Sequence, residues 1–214
     1  MNVNHISGVI FDLDGTLVDS YQAIYLGFQY TYTQMGLTPL SYDEVKNRVG
    51  HSLQDIFLEL PDEQKVVQAI TLFRQKYQEV YRTQTHLLPD AKEVLTKLHS
   101  HGIKLSVATN KLGRFSRDIL EHLQVGNLFS AIIGEGDVTN NKPNPEMLYL
   151  AIKKMGVPNQ EAVLVGDSHI DIQAALNAGI RVYAVPSGTT GQEELAKAHP
   201  TAVLNRLNDL LEYI

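Results

Sequence analysis

The chain has 214 residues, enough for one large domain or for a core domain with an insertion, and its composition is that of an ordinary globular protein. Eighteen Lys and Arg against 24 Asp and Glu give a net charge of −6, so no global basic field recruits nucleic acid or an anionic membrane, and any anion site must be local. The absence of cysteine excludes a disulfide framework, thiol catalysis and thiolate metal sites.

Val9, Ile10 and Phe11 read as a central parallel strand, apolar on both faces, that delivers Asp12 and Asp14 to a turn at Gly15 and Thr16. Side chains two apart in an extended chain point the same way, so the two carboxylates crowd one another. A hard divalent cation such as Mg2+ relieves that crowding and commonly arrives with phosphate. From Asp19 or Ser20 the spacing becomes helical, with Tyr21, Ile24, Tyr25, Phe28 and Tyr32 on one face up to Met35-Gly36. Ser41 with Glu44 opens a second helix as a capping box, the Val49-Gly50-His51-Ser52 turn leads to a third, and Pro61-Asp62 starts a long one reaching about Thr83. Residues 19–84 thus read as an all-helical insertion whose aromatics pack its interior.

Leu88-Pro89-Asp90 re-enters a pattern of strands alternating with helices. Strands are expected over 104–110, 131–134, 162–167 and 182–185, followed by a Gly-rich loop at 187–191 and a short terminal helix from Asn208. Such alternation implies a parallel sheet with helices on both faces. Beyond the C-terminal ends of the first four strands lie Asp12 and Asp14, Thr109 and Asn110, Lys142, and Asp167 and Asp171, all on one sheet edge. Carboxylates, a hydroxyl, an amide and an ammonium together suit a phosphoryl group with a metal.

These motifs resemble the haloacid dehalogenase-like superfamily: Asp12-Leu13-Asp14-Gly15-Thr16 matches its first motif, Thr109 its second, Lys142 its third, and Gly166-Asp167-Ser168-His169-Ile170-Asp171 its fourth. Ile133-Gly134 with Asp137-Val138, Asn141 to Pro145, Val165 to Ala175 and Leu207 to Leu211 look most like phosphoglycolate phosphatases. The resemblance implies an α/β fold, a Rossmann-like parallel-sheet core over 1–18 and 85–214, with an inserted all-helical cap of the C1 type over 19–84. It implies Asp12 as nucleophile forming a phosphoaspartate, Asp14 as proton donor and then base, and Thr109 and Lys142 on the phosphoryl oxygens. Mg2+ would be held by Asp12, the Asp14 backbone carbonyl, Asp167 and Asp171.

Gly15, Thr16 and Asn110 are expected at the substrate, with Arg48 and His51 as candidate contacts from the cap. The expected activity is hydrolysis of a small phosphorylated metabolite, 2-phosphoglycolate first. A β-phosphoglucomutase-like phosphotransferase is the alternative, opposed by Gly166 where that family carries an acid, and a pyrophosphatase is another. The N-terminus lacks signal-peptide features and no apolar run approaches the roughly 20 residues of a membrane helix, so the expectation is a cytoplasmic monomer or homodimer.

Overall fold

Val9, Ile10 and Phe11 are fully buried, as a strand covered on both faces requires. The computed structural model describes residues 5–214; the first four residues of the expected core segment 1–18 lie outside the described residues. In chain order the elements are β1 (Gly8–Phe11), β2 (Val18–Asp19), α1 (Tyr21–Gln34), α2 (Tyr42–Lys46), α3 (Leu53–Phe57), α4 (Glu63–Val80), β3 (His86–Leu87), α5 (Ala91–Ser100) and β4 (Lys104–Leu112). There follow α6 (Gly113–His122), β5 (Phe129–Glu135), α7 (Glu146–Met155), β6 (Ala162–Gly166), α8 (His169–Ala178), β7 (Arg181–Ala184), α9 (Gln192–Lys197) and β8 (Ala202–Val203).

Six strands form a parallel sheet in the order β5-β4-β1-β6-β7-β8, so the first strand lies between β4 and β6. Side chains alternate across it: Val9 and Phe11 belong to a cluster with α5 and α6, while Ile10 packs with α7 and α8 on the other face. The fold is therefore α/β with helices on both sides, as the alternating pattern indicates. β2 and β3 pair antiparallel as a short ribbon at the two ends of the helical insertion.

Within that insertion Ser41 and Glu44 form the expected capping box, and Asp62 caps α4 by accepting from Lys65 N. An aromatic column runs through it. Phe28 meets Phe57 and Phe73 at centroid distances of 5.4 and 5.0 Å, Phe73 stacks on Tyr77 at 5.5 Å, and Tyr77 meets Phe115 of α6 at 5.0 Å. The insertion and one face of the sheet thus share one hydrophobic cluster.

The structure departs from the sequence reading at several points. β4 continues to Leu112, past the expected end at 110, with a register irregularity against β5 between Ala108 and Leu112. Ser20 occupies the N-cap of α1 but makes no cap bond, because its hydroxyl donates to Asp14. The terminal helix is 3-10 over Leu207–Glu212, where buried Leu207 and Leu210 recur every third residue, the period of that helix. β2, β3, β8 and α9 went unforeseen because two to six residues are too few to show a period.

Phe28 is 1% exposed at the centre of the column. Phe28→Ala is expected to destabilise the protein by about 3–5 kcal/mol in urea unfolding. A loss under about 1 kcal/mol would mean that the column collapses around the gap.

Candidate active site

Asp12 follows β1 directly, its N–H donating to Val165 O at 2.9 Å and so continuing the ladder to β6. The chain then turns tightly: Leu17 and Val18 N–H both donate to Leu13 O, and Gly15 donates to Val18 O. Gly15 has φ +89, where only glycine is unstrained, and a Cβ there would stand 2.5 Å from Asp167 Oδ2 and 2.6 Å from the Tyr21 hydroxyl. Both atoms therefore converge on this turn.

Lys142 comes from the loop after β5, and Asn110 fixes it. The Asn110 side chain accepts from Lys142 N–H and donates to Lys142 O, both at 2.9 Å, while its second N–H donates to Gly50 O at 2.9 Å. The Lys142 ammonium then bonds Asp12 Oδ1 at 2.7 Å and Asp171 Oδ1 at 2.6 Å. Asp171 lies in the first turn of α8, and its other oxygen completes a capping box with Ser168. It serves the helix start and the site together.

Asp12, Asp167 and Asp171 each present a carboxylate oxygen within 4.8 Å of the others, all buried. Asp167 takes a 2.7 Å bond from the Thr16 hydroxyl. Burial, and then the neighbouring carboxylates, push Asp167 well above the usual carboxylate range. Asp12 is pushed up to about 6 by burial against the opposing pull of Lys142. Burial alone would lower the Lys142 ammonium, but Asp12 and Asp171 outweigh it and hold it above its ordinary value.

Asp14 is held differently. Its Oδ1 accepts from Ser20, and its Oδ2 pairs with Lys111 Nζ at 2.7 Å. Lys111, at the irregular end of β4, is not among the residues expected at the site, although a cation directly after Thr109-Asn110 is a readable signal. Its ammonium lies 4.9 Å from the Tyr77 ring centroid. Burial opposes its charge, yet Asp14 outweighs burial and raises its proton affinity. Tyr21 carries a buried hydroxyl without a hydrogen-bond partner, and the buried Tyr77 hydroxyl faces Lys111 and Thr85.

A cleft between the helical insertion and the sheet edge is lined by Asp12, Asp14, Thr109, Asn110 and Lys111 below and by Arg48, Gly50 and His51 above. Its remaining walls are largely apolar, Phe28, Phe73 and Phe115 among them. Arg48 is half-buried and donates to Glu44 O at 2.9 Å, and His51 is exposed at the rim. Gly15 and Thr16 face Asp167 rather than lining the cleft.

Residues 9–185 match the model of the haloacid dehalogenase-like hydrolase family. The chain belongs to this family. Among its relatives, phosphoglycolate phosphatase of Yersinia pestis is 34% identical over 217 residues, covering 98% of this chain and 93% of the relative. Among solved structures, a haloacid dehalogenase-like hydrolase from Bacteroides fragilis superposes with a TM-score of 0.90 at 28% identity, covering 96% of this chain and 99% of that one. A predicted phosphoglycolate phosphatase from Haemophilus somnus gives 0.89 at 27%, covering 97% of each. Family and relatives together make this haloacid dehalogenase-like protein a phosphatase.

Because folding raises the Asp167 pKa, its contribution to stability is fully present below about pH 4 and is lost as pH rises through the folded value. Asp167→Asn cannot ionise. Its stability relative to wild type is expected to improve between pH 4 and pH 7.5, in urea unfolding with chelator present. The same difference at both pH values would show that Asp167 is not strained by its charge.

Proposed function

We propose that this protein hydrolyses the phosphate ester of a small phosphorylated acid, 2-phosphoglycolate first, through a phosphoaspartate on Asp12. The observation carrying this reading is the Asp12 carboxylate on the cleft floor, 2.7 Å from the Lys142 ammonium, with Asp14 on the same wall. The Yersinia pestis relative's name supplies the substrate.

In this reading residues 19–84 are a cap over a core of 1–18 and 85–214. Arg74 bonds Glu135 at 2.7 Å and Arg82 bonds Asp118 at 2.6 Å, tying the two together. Arg48 and His51 reach the substrate from the cap side.

The residues fit a hard divalent cation. Four buried carboxylates, Asp12, Asp14, Asp167 and Asp171, face two ammoniums, Lys142 and Lys111, so ionising all four would leave two negative charges unbalanced without a cation. Asp12, Asp167, Asp171 and the Asp14 carbonyl would hold Mg2+, which when bound supplies positive charge to the phosphoryl oxygens.

The Asp12 carboxylate attacks phosphorus, the ester P–O bond breaks, and the leaving oxygen takes a proton from Asp14. Lys142 and the Thr109 hydroxyl hold the phosphoryl oxygens meanwhile. Water then attacks the phosphoaspartate and gives its proton to Asp14. The bond to Asp12 breaks, inorganic phosphate leaves, and the carboxylate is restored.

A mutase-like acid at 166 has no room, since even a Cβ there would run into the Asp171 side chain. This favours hydrolysis over phosphotransfer between sugar positions.

Phosphate release from a panel including 2-phosphoglycolate and pyrophosphate tests the proposal. Wild type with Mg2+ is expected to prefer 2-phosphoglycolate, and Asp12→Asn to lose at least about 10³-fold in kcat. Preference for pyrophosphate would reassign the substrate, and retained Mg2+-dependent turnover by Asp12→Asn would overturn the covalent route.

A further inference from the structure

Both oxygens of Asp14 are occupied by protein donors, Ser20 on one and Lys111 on the other. A group that must deliver a proton to a leaving oxygen cannot keep both engaged. Lys111 is the partner able to move, because it is a long flexible chain ending in the cleft, whereas Ser20 is fixed at the start of α1. Beside it Tyr77 is 1% exposed and lines the cleft, with Lys111 Nζ 4.9 Å from its ring centroid and Lys111 and Thr85 facing its hydroxyl. Burial holds the Tyr77 hydroxyl above the ordinary phenol range, so it keeps its proton and can donate to an anion brought to Lys111.

The other cations of the site and its cleft are engaged elsewhere. Lys142 bridges Asp12 and Asp171, Arg74 bonds Glu135, and Arg48 bonds a carbonyl of its own helix region. Only Lys111 stands against the residue that faces the leaving group.

We propose that Lys111 and Tyr77 form a seat for a second anionic group of the substrate, a carboxylate one carbon from the ester oxygen, and that its arrival draws Lys111 off Asp14. This deepens the phosphatase reading and rests on it. In such an acid a single methylene joins the ester oxygen to the carboxylate. Asp14 and Lys111, 2.7 Å apart, can therefore address the two ends of one small molecule. The apolar walls around the pair strengthen the preference, since a charge out of water discriminates sharply between an anion and a methyl group. Lys111 is on this account both a specificity and a positioning residue: recognition of the carboxylate is what frees Asp14.

The test compares 2-phosphoglycolate with ethyl phosphate, in which a methyl replaces the carboxylate, by kcat/KM with Mg2+ for wild type, Lys111→Met, Lys111→Arg and Tyr77→Phe. Wild type is expected to favour the carboxylate ester by at least about tenfold, Lys111→Met to erase that ratio, Lys111→Arg to recover part of it, and Tyr77→Phe to reduce it. The ratio carries the result, because a merely structural role lowers turnover of both esters alike.

Calorimetric binding of 3-phosphonopropionate against propylphosphonate gives the same comparison without turnover, on variants whose thermal melts match wild type. An unchanged ratio and unchanged binding preference in Lys111→Met would overturn the seat, as would a wild type indifferent to the carboxylate. If wild type releases phosphate from neither ester, the 2-phosphoglycolate reading fails. A binding preference abolished by Lys111→Met would even then uphold the seat.

Discussion

The structure depends on a crowding of like charge at one sheet edge. Asp12, Asp14, Asp167 and Asp171 are all buried there, and such a concentration is tolerable only where cations or fixed donors meet each carboxylate. The surrounding architecture follows from this requirement. The parallel order β5-β4-β1-β6 brings four strand ends together, and Asn110 holds the Lys142 backbone so that one ammonium serves two acids. The turn after Asp12 brings the Thr16 hydroxyl to Asp167. Stability and chemistry draw on the same contacts, which is why the site is least comfortable in its charged form.

Most of this was legible in the sequence because it rests on local pattern. The apolar run before Asp12, the strand-helix alternation and the polar residue after each strand locate the sheet edge without tertiary knowledge. Asp171 was readable as a first-turn acid and is one, in the capping box with Ser168. The parts that escaped depend on geometry the sequence does not encode locally. Lys111 reaches Asp14 because β4 runs on irregularly to Leu112, and Ser20 turns away from its helix because Asp14 lies within reach. Tyr77 reads as core by spacing and is core by burial; only its hydroxyl, facing Lys111, distinguishes it from Phe73, the other aromatic of α4.

Asn110 also joins the two sides of the cleft. One amide holds the Lys142 loop and reaches across to Gly50 O in the helical insertion. The backbone that carries Arg48 and His51 is thus registered against the residue bearing the ammonium. The position of the upper wall and that of the charge below are set by one side chain.

The aromatic column from Phe57 through Phe28, Phe73 and Tyr77 to Phe115 joins the insertion and the sheet through one hydrophobic cluster. Its helices complete their interior with a ring from α6, so the inserted stretch is not a self-sufficient module that transplants unchanged onto another scaffold. Phe28 and Phe73 belong both to that cluster and to the cleft wall, so a substitution that reshapes the space offered to a ligand also disturbs the packing shared by insertion and sheet.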